Sequence, residues 1–201
     1  MKMKLFSSQT SPFARKVRVA VQELELDGLV DEIHTDVYNA TADFLTINPL
    51  AQIPALVTEK GETLPGSDLI IEYLQSRANS LTSLPRGSAR WGMLRRRNLA
   101  EGILEAAVSM LLESRRPDGE KSPAWMARKT EAIQRSLDVL EADVDQLLTE
   151  KPSVVEIGIG CALGYLDFRF ATLDWRRNRP ALTAWYAAFA ERPSMLKTVP
   201  Q

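Results

Sequence analysis

The chain of 201 residues contains a single cysteine, Cys161, and a single histidine, His34. One thiol excludes an intrachain disulfide and any cysteine-built metal cluster. His34 falls in a strand-like run with no Asp or Ser constellation around it, which reads as a structural or surface position. No metal-ligand spacing, phosphate loop or hydrolase triad appears. Charge of one sign is also missing: 25 basic and 26 acidic residues leave a formal net charge of −1, so no overall field draws the chain to nucleic acid or an anionic membrane. The longest apolar run, 157–166, is closed by Glu156 and Asp167 and is too short to span a bilayer. The opening residues reach polar Ser7-Ser8-Gln9-Thr10 without the apolar core of a signal peptide. These absences lead to the expectation of a soluble cytoplasmic protein of a reducing compartment, without nucleic-acid or membrane partners. Hydrophobic (45%) and charged (25%) fractions are ordinary for a globular chain.

What is present divides the chain. The first third alternates strand-like runs with helices. Residues 2–6 read as a strand. Ser11-Pro12 opens a helix, Ser suiting the N-cap and Pro the first helical position. Phe13, Val17, Ala20, Val21 and Leu24 form its apolar stripe, and Gly28 is its expected end. Ile33, Thr35 and Val37 alternate as a second strand. Residues 55–58 and 62–64 flank Lys60-Gly61 as a hairpin. Ser67 caps a helix with Leu69, Ile70, Tyr73 and Leu74 on its buried side. The order β-α-β, a proline-containing segment, then β-β-α is that of a thioredoxin-like sheet.

Residues 79–88 read as a linker, and helices follow. Two long ones are predicted over 91–113 and 122–148, broken at Pro117-Asp118-Gly119. Ser153-Val154-Val155-Glu156 is a capping box opening an apolar helix over 157–168. A last helix covers 181–190. The basic clusters Arg95-Arg96-Arg97 and Arg176-Arg177 lie in amphipathic segments and read as solvated faces. The domains expected are 1–78 thioredoxin-like and 89–201 all-helical.

Four motifs in order carry a family resemblance: residues 11–18 (SPFARKVR), 48–56 (NPLAQIPAL), 67–74 (SDLIIEYL) and 153–169, with its capping box and CALGYLDFR. Through them the chain resembles the cytosolic glutathione transferases over nearly its whole length, and is most similar to their bacterial YibF-type homologues. The resemblance implies glutathione as co-substrate, no metal, a symmetric homodimer, and an apolar acceptor cleft for a small-molecule electrophile.

Ser11 matches the serine or cysteine that touches the glutathione sulfur. A hydroxyl at a helix N-terminus can donate to a thiolate while the amides and dipole add positive potential. The residue reads equally as an N-cap, and one oxygen can serve both roles. Thr10 and Ser8 are the alternative hydroxyls, and Phe13 completes the segment. Glutaredoxins carry a Cys-Pro-aromatic-Cys pair at this place. Here Ser11 and Ala14 replace both cysteines, which excludes a dithiol mechanism. Pro54 matches the family's cis-proline, and a cis bond would turn the Ile53 N–H and C=O toward the cysteinyl part of glutathione. Gln52 is the candidate for the glycyl end, and Ser67 for the γ-glutamyl carboxylate. Where the family usually has Glu or Asp, this chain has Gly66, so the γ-glutamyl end loses one of its usual holds. Trp91, Met110, Trp125 and Tyr165 read first as plain core and second as candidates for the acceptor cleft, and Cys161 reads as an inert core thiol. The function implied is glutathione S-transfer. The alternative is a non-catalytic interaction or regulatory protein on the same scaffold, which Gly66 would favour.

Overall fold

A computed structural model describes residues 2–78, 81–148 and 150–201. Asn79 and Ser80, the start of the expected linker, lie outside the described residues. The chain divides into two compact units, Met1–Thr82 with Arg192–Gln201, and Ser83–Glu191. The last ten residues, expected with the helical domain, therefore pack in the first unit.

In that unit β1 (Met3–Ser7), β2 (Val30–His34), β3 (Ala55–Val57) and β4 (Thr63–Pro65) form one sheet in the order β2-β1-β3-β4. β2 runs parallel to β1, with Met3 opposite Val30; β3 and β4 run antiparallel to their neighbours. Helices α1 (Pro12–Glu23), α2 (Ala42–Ile47) and α3 (Ser67–Arg77) complete the thioredoxin-like arrangement. Val17, Ala20 and Leu24 of α1 and Ile70, Ile71 and Leu74 of α3 are buried together with Leu5 and Leu56 of the sheet. On α3 the inward set includes Ile71 in place of Leu69, which is exposed.

Three local departures have local causes. First, α1 stops well before Gly28. Glu25 adopts φ 57°, its N–H donates to Gln22 O at 3.1 Å, and Leu26 N–H reaches back to Val21 O at 2.9 Å. This is a Schellman ending with a non-glycine residue in the left-handed position, closed by the buried pair Val21 and Leu26. Second, β2 ends at His34, because Asp36 accepts from Tyr38 N–H at 2.9 Å and turns Val37–Asn39 into a single 3₁₀ turn. Third, the segment before Asn48 holds the short α2, capped by Thr41, whose hydroxyl accepts from Phe44 N–H at 3.2 Å.

The final residues form α8 (Pro193–Leu196) against α1. Arg192 donates from both Nε and Nη2 to the two oxygens of Glu23, each at 2.8 Å, and Ser194 Oγ donates to the same carboxylate. Buried Arg15 donates to Met195 O at 3.2 Å and to Thr198 Oγ1 at 3.4 Å.

The second unit is helical. α4 (Ala89–Ser114) packs on α5 (Pro123–Ala142) and on α6 (Val154–Arg169), and α7 (Pro180–Ala190) follows. α6 is buried on every side from Val154 to Leu166, as expected of a helix that is apolar all round. Gly158 of α6 faces Ala100 of α4, where an added Cβ would stand 3.6 Å from the Ala100 Cβ, an ordinary van der Waals contact. Its capping box is formed: Ser153 Oγ accepts from Val155 N–H at 3.1 Å, and Glu156 accepts from Ser153 N–H at 2.8 Å. α5 is shorter than its periodicity predicts, ending at Ala142, where Asp143 leaves the helical path and accepts an ion pair from Arg95. One expectation fails outright. Arg96 does not belong to a solvated face: its side chain is only 5% exposed. Among the described residues no helix is long and apolar enough to cross a membrane.

Candidate functional site

Sheet register brings the candidate segments of the first unit to one end. Phe6 pairs with Ala55, and Ala55 pairs with Pro65. The chain leaving β1 toward Ser11, the chain entering β3 through Ile53-Pro54, and the chain leaving β4 through Gly66-Ser67 therefore converge at that end.

Ser11 is the N-cap of α1, with extended backbone (φ −77°, ψ 121°), and its Oγ accepts from Ala14 N–H at 3.2 Å. Pro12 at the first helical position has no N–H to satisfy. Because Oγ accepts, its own proton is left to be donated outward. Thr10 and Ser8 lie in the turn before the helix, both half-buried, as is Phe13. Ser7 is unlike them: it is buried, and its hydroxyl donates to Glu32.

The Ile53-Pro54 bond is cis. Among the described residues the Ile53 N–H and C=O have no hydrogen-bond partner. The loop before them is held from within. Buried Asn48 donates from Nδ2 to Gln52 O at 2.7 Å, and its Oδ1 accepts from Leu50 N–H at 3.1 Å. In the sequence Asn48 is only one member of a motif; its cross-brace exists only in the folded loop. The Gln52 side chain is exposed.

Gly66 precedes α3 with φ 85° and ψ 141°, a conformation that side chains disfavour. Its N–H donates to Pro54 O at 3.1 Å and its C=O accepts from Ile70 N–H at 3.2 Å. Ser67, the first residue of α3, is buried, yet its hydroxyl has no partner among the described residues. In the same turn, Asp68 Oδ1 accepts from Lys16 Nζ at 2.8 Å, with the Lys16 side chain 2% exposed. This ion pair links α1, one turn beyond Ser11, to the N-terminus of α3; sequence reasoning missed it, since the two residues are far apart in the chain.

Of the remaining candidates, His34 is exposed and Cys161 is buried on α6. In the second unit Met110 and Tyr165 are buried, Trp125 is half-buried and Trp91 is 69% exposed, so Trp91 is not core.

The arrangement offers an uncommitted hydroxyl proton and a helix N-terminus beside a free strand-like backbone edge, with a second helix N-terminus carrying a free hydroxyl. Such a set suits an extended peptide-like anion.

Comparison with known proteins agrees with this anatomy. Residues 10–77 match the family described as Glutathione S-transferase, N-terminal domain, and residues 123–188 match Glutathione S-transferase, C-terminal domain. The chain is 36% identical over 202 residues to the uncharacterized GST-like protein YibF of Escherichia coli K12, covering 98% of each. It superposes on a glutathione transferase family member from Pseudomonas fluorescens Pf-5 with bound glutathione (TM-score 0.93, 36% identity, 100% of both chains). A glutathione S-transferase from Methylobacillus flagellatus with glutathione bound gives a TM-score of 0.90 at 35% identity, again over 100% of both chains. By two matched domains and full-length similarity, the chain belongs to the glutathione S-transferase family.

Proposed function

We propose that this protein is a glutathione transferase: it binds glutathione at the converging end of the first unit's sheet and presents its thiolate to a small apolar electrophile. The observation that carries this reading is the set of uncommitted groups gathered there: the Ser11 proton, the Ile53 backbone edge and the Ser67 hydroxyl. Relatives of about 35% identity hold glutathione in their crystal structures, which supports the same ligand here.

The chemistry follows from the groups. Ile53 pairs with the cysteinyl part of the tripeptide as an added strand would. Ser67 and the free amides of α3 take the γ-glutamyl carboxylate, and Gln52 reaches toward the glycyl end. The Ser11 hydroxyl keeps its proton and donates a hydrogen bond to the thiolate sulfur, while the α1 dipole favours the negative form. The thiolate attacks an electrophilic carbon, a carbon–sulfur bond forms, and the leaving group departs with its electron pair. Holding the two reactants together supplies the rest of the rate. The symmetric homodimer usual for such enzymes is the assembly that goes with this reading.

Calorimetric titration of the wild-type chain at neutral pH tests it. Saturable binding of one glutathione per chain is expected. Absence of binding at millimolar glutathione would contradict it.

A further inference from the structure

We infer that the second unit carries a separate ligand site, for a small organic carboxylate, at the N-terminal end of α4. It uses no residue of the first unit and does not depend on the reading above.

An open groove of about 430 Å³ lies there, comparable in volume with small-molecule sites. Pro85, Met93 and Leu148 form its apolar side, and Ser88, Arg96 and Gln146 its polar side. Leu148 is fixed in place by its N–H, which donates to Glu156 of the α6 cap at 3.2 Å. Arg96 is the feature that calls for a ligand. Its Nη1 donates to Gln146 Oε1 at 2.7 Å and lies 3.6 Å from Asp143 Oδ2. Its enclosed Nε has no partner, and no described residue engages Nη2. Gly92 makes the room: a Cβ there would stand 3.6 Å from Nη1 and 4.0 Å from Nη2. The Ser88 hydroxyl, at the start of the same helix, is on an exposed residue and is not engaged by any described residue, which leaves it accessible to a ligand.

The electrostatics select the ligand. Residues 81–100 contain five arginines and no Asp or Glu, and the first turn of α4 has no acidic residue to meet the positive end of the helix dipole. Asp143 answers both Arg95, at 2.5 Å, and Arg96. These three groups sum to one positive charge, which a monoanion cancels, while a dianion would meet the Asp143 carboxylate. The apolar wall suits a hydrocarbon body. A carboxylate head on Arg96 and Ser88, with its tail against Met93 and Pro85, satisfies both sides.

Benzoate is the probe. Calorimetry at constant ionic strength should give one benzoate per chain, the same with and without glutathione. Inorganic phosphate should bind at least about tenfold more weakly. Gly92→Leu fills the gap with a better helix former and should cost at least about tenfold in benzoate affinity without lowering Tm. Met93→Glu, at a half-buried position, should weaken benzoate similarly by repulsion, and gives an independent reading if the first variant does not fold. The inference is overturned if folded wild-type protein shows no saturable benzoate binding, if glutathione displaces benzoate, if phosphate binds as well, or if a folded variant binds benzoate unchanged.

Discussion

The Gly66 N–H donates to the Pro54 carbonyl at 3.1 Å, joining the start of α3 to the cis-proline turn. Two halves of the candidate glutathione site are thus one hydrogen-bonded piece. The glycine that departs from the family pattern serves as the joint.

Gly66→Glu reinstates the acid usual in the family. A Cβ there meets nothing within 4 Å, so space is available, but φ 85° opposes any side chain. The backbone penalty is about 1–3 kcal/mol, and at about 2–4 °C per kcal/mol for a chain of this size the Tm should fall by several degrees. Calorimetry should show tighter glutathione binding alongside. An unchanged Tm would mean that the turn relaxes, and unchanged affinity that another group already holds the γ-glutamyl end.

Asn48→Ala removes both bonds that brace the loop before Ile53. The Gln52 carbonyl and the Leu50 amide, both on exposed residues, lose their partners, for about 1 kcal/mol in stability. Because Ile53 is a binding edge in this account, KM for glutathione should rise while kcat changes little. A fall in kcat at constant KM would place the effect on chemistry instead.

The Glu23–Arg192 clasp sets an acid limit on the packing of the C-terminal residues. Burial pushes the Glu23 carboxyl up, but hydrogen bonds from Arg192 and Ser194, with the Arg192 charge, hold it below the usual carboxylate range. A lowered folded-state pKa means the stabilisation is fully present above the unfolded value of about 4.3 and is lost as pH falls through the lower folded value. Hydrogen-exchange protection of the Met195 and Leu196 amides should therefore persist at pH 7 and decline only in strong acid. Arg192→Gln should lower protection at neutral pH and shrink the acid step. Protection that ignores acid in the wild type would contradict the clasp.

The elements legible in the sequence are those written in neighbouring residues. Ser11-Pro12 opens α1, Ser153 and Glu156 cap α6, and Lys60-Gly61 turns the β3–β4 hairpin, with Gly61 at φ 84°. The Ile53-Pro54 cis bond was legible only through the family resemblance, since an isolated X-Pro pair favours trans. What escaped depends on residues far apart in the chain. The Arg15 and Arg192 contacts that bring residues 192–201 to the first unit span more than half the sequence. The burial of Arg96 goes with its contacts to Gln146 and Asp143, distant in the chain, and no periodicity encodes either. The short α2 escaped because six residues leave too little pattern to read.

The most direct test of the account is the thiol pKa of bound glutathione, read from thiolate absorbance against pH, in the wild type and in Ser11→Ala and Ser11→Gly. As an N-cap, glycine costs only a few tenths of a kcal/mol, whereas alanine costs about 1 kcal/mol, so stability and chemistry separate. The account predicts a wild-type pKa below that of free glutathione, raised in both variants by about one unit, or about 1.4 kcal/mol, with matching losses of turnover although only Ser11→Ala loses appreciable stability. A bound thiol pKa that is the same in all three proteins would contradict it, leaving Ser11 as a helix cap and Thr10 as the hydroxyl to test.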